Sequence, residues 1–328
     1  MAGTSCVIED IFSLYGEELR AVEEELLKLF QSSAFVLPSI GLYIVKSGGK
    51  RLRPLFLIVS AELCGYKGPA RARLGAIIEA IHTASLLHDD VIDQAEMRRG
   101  QKAAHHIWGN QTVILVGDFL YSNALRMAVA EKSQLIMEAL AEATTRMTEG
   151  ELLQLSKISD PEITEDEYLE IISAKTGALI SAACRVGAIL GGMPEEKQNA
   201  LGDFGLKTGI AFQMVDDILD YRADEETFGK NLGKDLEEGK VTMPMIELLR
   251  VCDEGQRKRL KEIITSGNGS SEMDYILELF RRYNIIERSL EKAVSIVEEA
   301  KACLEVFVSN EAKEHLLCLA EYSLYRRY

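Results

Sequence analysis

The sequence predicts an all-α protein, and three observations carry that prediction. Apolar residues recur at intervals of three and four from residue 8 almost to the C-terminus, the spacing of a helix face turned to a core. No stretch alternates apolar and polar residues as a half-buried strand would. Gly pairs, Pro and capping residues punctuate the periodic segments. With 47% hydrophobic residues in a chain of 328 there is apolar surface for a large core. No linker, fixed-period repeat or low-complexity tract divides it, so residues 1–328 are expected to form a single domain.

Residues 8–30 place Ile11, Leu14, Tyr15, Leu19, Val22, Leu26, Leu27 and Phe30 on one stripe and their glutamates elsewhere, which predicts an amphipathic helix. Pro38 opens a short second helix that stops at Ser47-Gly48-Gly49. Lys50, Arg51 and Arg53 follow, with Pro54 in the first turn of an apolar helix. They therefore flank a helix N-terminus, an anion-binding position; a solvated basic loop is the alternative. The helical pattern resumes over residues 70–93 and ends in Asp89-Asp90-Val91-Ile92-Asp93. Met97-Arg98-Arg99-Gly100 comes next, its guanidinium groups suited either to gripping phosphate or to pairing with the Asp cluster.

Trp108-Gly109-Asn110 reads as a turn, with helices over residues 112–130 and 134–155. Thr164-Glu165-Asp166-Glu167 has the spacing of a capping box at the start of the helix that carries Lys175-Thr176-Gly177. Lys175 stands in an apolar stretch, as a phosphate contact or as a snorkelling surface lysine. Pro194 starts the helix that reaches Gln213 and a second cluster, Asp216-Asp217-Ile218-Leu219-Asp220. A Gly- and Lys-rich loop over residues 228–240 has the composition of a segment that closes over a bound anion. Several more helices complete the chain.

The two Asp clusters are the centre of the functional reading. Asp89 and Asp93, like Asp216 and Asp220, stand four residues apart, on one helix face and one turn from each other. With 15 Asp in 328 residues, chance supplies roughly 0.03 copies of the Asp-Asp-x-x-Asp spacing, and here there are two. Carboxylates at a helix C-terminus oppose its dipole, a local cost that a metal site accounts for. Carboxylate oxygens are hard ligands suited to Mg²⁺, which fills its shell with water and phosphate oxygens, so the chemistry indicated is that of a diphosphate.

A net charge of −15 argues against a nucleic-acid surface. The N-terminal 30 residues resemble neither a secretory signal nor a transit peptide, no apolar run is expected to span a bilayer, and six scattered cysteines without a C-x-x-C suit a reduced, cytoplasmic protein.

Gly48-Gly49-Lys50-Arg51-Leu52-Arg53-Pro54, the two Asp clusters, Met97-Arg98-Arg99-Gly100, Lys175-Thr176 and Gly239-Lys240, all in this order, make the chain resemble the trans-isoprenyl diphosphate synthases over nearly its whole length. Within that family it is most similar to the bacterial polyprenyl synthases of the octaprenyl type. The resemblance implies a helical bundle around a deep central cavity, a homodimer, Mg²⁺ (about three ions with diphosphate bound), and repeated addition of isopentenyl diphosphate to an allylic diphosphate such as farnesyl diphosphate. Octaprenyl products of such enzymes become quinone side chains.

By the same resemblance Asp89, Asp90, Asp93, Asp216, Asp217 and Asp220 hold Mg²⁺; Arg98, Lys175, Thr176, Gln213, Lys230 and Lys240 contact the allylic diphosphate; and Lys50, Arg53, His82 and Arg99 hold isopentenyl diphosphate. The small residues Ala84 and Ser85, just before the first cluster, leave room for a growing tail. Leu115, Phe119 or Met127 on the neighbouring helix are expected to form its floor.

Overall fold

The computed structural model describes residues 8–34, 36–222 and 232–325. Nearly all of its regular structure is helical, in agreement with the periodicity. The helices run α1 (Ile8–Leu14), α2 (Gly16–Leu29), α3 (Val36–Lys46), α4 (Leu52–Leu63), α5 (Ala70–Ile92), α6 (Ala104–Trp108), α7 (Asn110–Ala130), α8 (Gln134–Ser156), α9 (Glu165–Ile172), α10 (Ala178–Leu190), α11 (Glu195–Leu219), α12 (Lys234–Glu237), α13 (Met243–Val251), α14 (Glu254–Ser266), α15 (Met273–Tyr283), α16 (Ile285–Cys303) and α17 (Glu311–Tyr322). Between α5 and α6 a two-residue hairpin pairs Met97 with Lys102 and Arg98 with Gln101, so Arg99 and Gly100 form its tip. The expected N-terminal helix is divided at Tyr15, whose ring packs edge-on against His315 at 5.6 Å.

The chain forms two compact units, each drawn from separated stretches of sequence. The first comprises the described residues of Met1–Thr144 with Leu179–Gly205 and Leu304–Leu319. Its central helix is α5, which packs along α7, α4 and α2. Helix α4 is buried on every side from Pro54 to Ala61, as a helix apolar all round must be.

The second unit comprises Thr145–Ala178, Leu206–Cys303 and the described residues of Ala320–Tyr328. Its core joins Ile171, Met214, Ile218, Met243, Leu248, Leu260, Ile276 and Phe280. The buried stripe of α16 runs Ile285, Ser289, Ala293, Val297 and Ala300, close to every fourth residue, with the charged residues left outside. Two capping boxes start helices here. Thr164 with Glu167, as the sequence predicts, opens α9, and Asp253 with Gln256 opens α14.

Helix α7 is, by length and composition, long and apolar enough to cross a membrane, although Asp118 and Arg126 interrupt it. Only one stripe of it (Val113, Val116, Gly117, Leu120, Ala124 and Ala128) is buried, and Leu115 and Val129 are 67% and 59% exposed.

Candidate active site

In the first unit, α5 delivers the first Asp cluster. The helix closes at Ile92, and the Asp93 N–H still donates to the Asp89 carbonyl at 2.7 Å, so the three carboxylates occupy its last turn. They are not equivalent. Asp90 is 3% exposed and accepts from Arg98, Nε at 2.8 Å and Nη2 at shorter range. Asp89 is half-buried and Asp93 exposed. The pairing of Arg98 with the cluster, one of the two readings open in the sequence, is what the structure contains.

The cations after Gly48-Gly49 divide into two sets. Arg51, the N-cap residue of α4, sits at φ 49°, a left-handed conformation unusual for a side chain of this size. That turn sends it inward, 5% exposed, to Glu79 at 2.9 Å and Glu23 at 3.1 Å. It is therefore a structural cation, contrary to its expected place among residues flanking an anion. Lys50 is exposed, and Arg53 Nη1 lies 3.1 Å from His82 Nε2. Burial, and then the guanidinium groups of Arg53, Arg99, Arg98 and Arg51, hold His82 well below its ordinary 6.5. The ring is thus neutral, its Nε2 accepting from Arg53 and its proton on Nδ1. Arg99 donates to the Gly48 carbonyl. A Cβ on Gly49 would come within 2.6 Å of Arg99 Nη1, and Gly49 has φ +145°, so only glycine lets Arg99 lie there.

In the second unit a cavity of about 130 Å³ gathers Lys175, Gln213, Asp217 and Lys240, four residues singled out in the sequence. Lys175 and Thr176 lie on a π-helical turn, Ser173–Gly177, between α9 and α10. Such wide turns are rare and concentrate at functional sites. Lys175 Nζ donates to Gln154 at 2.8 Å and meets Glu151 at 2.7 Å. A relay runs from the Thr176 hydroxyl to Gln213 Oε1 (2.7 Å), and from Gln213 Nε2 to Asp217 Oδ1 (2.8 Å). The Tyr168 hydroxyl donates to the other oxygen of Asp217 at 2.6 Å.

Asp217 is 5% exposed, and burial pushes its carboxyl up to about 7. Burial also raises Asp220 and Asp235, the latter further through repulsion from Asp217 and Asp220. The Asp220 carboxylate accepts the Asp235 N–H at 3.0 Å, which ties the end of α11 to the start of α12. Lys230 lies outside the described residues.

The donor set fits Mg²⁺. Among the described residues no three His, Cys, Asp or Glu side chains converge into a complete protein cage. Mg²⁺ needs none, since it keeps water and phosphate oxygens in its shell. Acids crowded until their pKa values rise are also the environment a cation relieves. The middle residues Asp90 and Asp217 also accept hydrogen bonds, from Arg98 and from Tyr168 and Gln213.

Sequence reasoning missed Tyr168, Asp235, Gln154 and Lys157, all of which line the cavity. Tyr168 had a usable signal, since it stands seven residues before Lys175, two turns away on nearly the same face. Of the residues expected to bound the growing tail, Ala84 is 2% exposed, Ser85, Phe119 and Met127 are half-buried, and Leu115 faces outward. Leu115 is therefore no floor within its own chain: α7 turns Val113, Gly117 and Leu120 inward instead.

Residues 36–280 match the family described as Polyprenyl synthetase. The chain is 38% identical over 319 residues to the octaprenyl diphosphate synthase of Escherichia coli strain K12, covering 97% of this chain and 99% of that one. Among solved structures, a decaprenyl diphosphate synthase from Rhodobacter capsulatus is 36% identical with a TM-score of 0.91, covering 97% of this chain and 98% of that one. A polyprenyl synthase from Caulobacter crescentus CB15, complexed with calcium and isoprenyl diphosphate, is also 36% identical, with a TM-score of 0.92 and full coverage of both chains. With the family matched across most of its length and relatives aligned nearly end to end, the chain belongs to the polyprenyl synthetase family.

Proposed function

We propose that this chain is a Mg²⁺-dependent trans-polyprenyl diphosphate synthase that lengthens an allylic diphosphate, farnesyl diphosphate for preference, by successive condensations with isopentenyl diphosphate. The observation that carries the reading is the cavity of the second unit, where Lys175, Lys240, Gln213 and the Thr176 relay surround space for an anion beside Asp217. An octaprenyl product, destined for quinone side chains, is the chain length the resemblance supports. The relatives named above make products of differing length, so length is the finer part of the proposal.

In this reading Lys175, Lys240, Thr176 and Gln213, with Lys230, grip the allylic diphosphate through charge-assisted hydrogen bonds. Asp89, Asp90, Asp93, Asp216, Asp217 and Asp220 would hold Mg²⁺, about three ions in all. Mg²⁺, when bound, would supply positive charge to the leaving diphosphate. The C–O bond then breaks with its electron pair leaving on the diphosphate, and the lysines stabilise that charge where it develops. Lys50, Arg53, His82 and Arg99 hold isopentenyl diphosphate so that its double bond attacks the allylic cation and forms the new C–C bond. Loss of a proton to the departing diphosphate restores an allylic double bond in the product. Neutral His82 accepts from Arg53 and keeps that guanidinium aimed.

We further propose that residues 1–328 act as one catalytic domain, cytoplasmic, and assembled as a homodimer through the exposed apolar face of α7, where Ile114, Leu115 and Val129 are 40%, 67% and 59% exposed. The purified chain, incubated with farnesyl diphosphate with and without isopentenyl diphosphate, tests the activity. Polyprenyl diphosphates formed only with both substrates are expected. Hydrocarbon or alcohol released from farnesyl diphosphate alone would mark a terpene cyclase, and a chain inactive without a second protein would mark a non-catalytic subunit.

A further inference from the structure

The cavity of the second unit holds a lysine that the scheme above does not use. Lys157, the first residue after α8, lines it together with Lys175 and Lys240. Its ammonium is gripped by Glu167 at 2.7 Å and Asp160 at 3.2 Å, with its side chain 27% exposed. Glu167 is itself anchored, because its Oε2 accepts the backbone N–H of Thr164 at 2.9 Å and the Thr164 hydroxyl at 3.0 Å in the capping box of α9. The other two lysines are tethered in the same manner, Lys175 to Glu151 at 2.7 Å and Lys240 to Glu238 at 2.7 Å.

The mounts of Lys157 and Lys240 are also joined to each other. The Ser159 N–H donates to the Gly239 carbonyl at 2.8 Å. Gly239 has φ +77°, and a Cβ there would meet Ser159 Oγ at 2.8 Å and Ile158 Cγ2 at 2.9 Å, so glycine is what allows the turn after α8 to seat on the Lys240 loop. An ammonium carries three N–H donors. Two of those of Lys157 go to the carboxylates of Glu167 and Asp160, which fixes its position at the cavity and leaves one donor beyond these two ion pairs.

We propose that Lys157 is a third ammonium contact for the allylic diphosphate, adding to Lys175 and Lys240 and setting affinity for that substrate without touching the second one. The proposal rests on the reading of this cavity as the allylic diphosphate site. It assigns the tethering carboxylates a purpose: Glu167 and Asp160 hold Lys157 in place so that little ordering is needed when the anion arrives.

The test compares purified Lys157→Met, Lys157→Arg and Lys175→Met with the parent chain. Readouts are the KM for farnesyl diphosphate, the KM for isopentenyl diphosphate, the inhibition constant of inorganic diphosphate and the melting temperature. Lys157→Met should raise the farnesyl diphosphate KM and the diphosphate inhibition constant about tenfold, the equivalent of losing one modest charged contact. The isopentenyl diphosphate KM and the melting temperature should hold, and Lys157→Arg should keep most of the parent affinity. If Lys175→Met shows the shift and Lys157→Met does not, Lys157 is only a surface ion pair and the proposal is overturned. If neither variant shows it, the cavity is not the allylic site and the functional reading falls first. An equal rise in both KM values for Lys157→Met would also overturn the proposal, since it would report a general change in field or fold.

Discussion

A bulky side chain at Ser85 should set the length of the product. Ser85 lies four residues before Asp89, about 6 Å along α5 at ~1.5 Å per residue, and helix side chains lean toward the N-terminus, away from the diphosphate. An isoprene unit needs roughly three helical residues of length, about 4.5 Å on the same scale. On that scale a phenyl ring at position 85 narrows the path from about the second unit of the tail onward, so Ser85→Phe should shift the product towards shorter chains. Position 85 is half-buried, its hydroxyl donating to the His82 carbonyl in its own turn at 2.9 Å, so the ring has space to be accommodated.

Ala84 differs, being 2% exposed, and Ala84→Phe should shorten the product while also costing about 1–3 kcal/mol of stability through overpacking. Met127→Ala should lengthen the product. The assay is chromatography of dephosphorylated products, alongside the rate of the first condensation and thermal melts. Shortened chains with the first step intact are expected. An unchanged distribution in both Ser85→Phe and Ala84→Phe would refute the claim that the tail runs along this face.

Further outcomes follow from the two cation groups and from one buried carboxylate. Arg53→Ala should raise the KM for isopentenyl diphosphate and Lys240→Ala that for the allylic substrate, each by about 10- to 100-fold for a charged hydrogen bond; parallel shifts in both constants would contradict the division. Glu247, with its side chain 1% exposed and paired with Arg250, Arg288 and Lys292, is held at about 2 against an ordinary 4.5, its hydrogen bonds with Arg250 and Arg288 outweighing the opposing effect of burial. Because its folded pKa is depressed, it stabilises fully above pH 4.5 and loses that contribution as pH falls towards 2. Its cations are partly solvated, so the loss is about 1–3 kcal/mol, and Glu247→Gln should flatten that part of the pH–stability curve measured by urea melts. Light scattering at micromolar concentration should give about twice the 36.5 kDa chain mass, and a monomer with full turnover would refute the assembly.

Helices and clusters were legible where a pattern repeats. The helical run ending at Asp93 and the capping box of α9 each express a 3.6-residue period or a fixed local hydrogen bond, and the structure contains both. What was not legible depends on single backbone angles or distant partners. Lys50, Arg51 and Arg53 form one basic run in sequence, yet a left-handed φ at Arg51 turns that side chain to Glu79, 28 residues away. The π turn under Lys175 leaves no periodic mark in so short a segment. Lys157 and Asp235 look like ordinary loop charges until the fold sets them around one cavity.

The central claim is that clustered carboxylates and Mg²⁺ ionise a diphosphate for condensation. Its most direct measurement is the initial rate of isopentenyl diphosphate incorporation by the purified chain, after EDTA treatment and during Mg²⁺ titration, for the parent and Asp216→Ala. The parent should fall to background in EDTA and recover fully with Mg²⁺. Asp216→Ala should stay orders of magnitude slower at every Mg²⁺ concentration while keeping its helical circular dichroism. Turnover that persists in EDTA, or an Asp216→Ala chain as fast as the parent, would contradict the account.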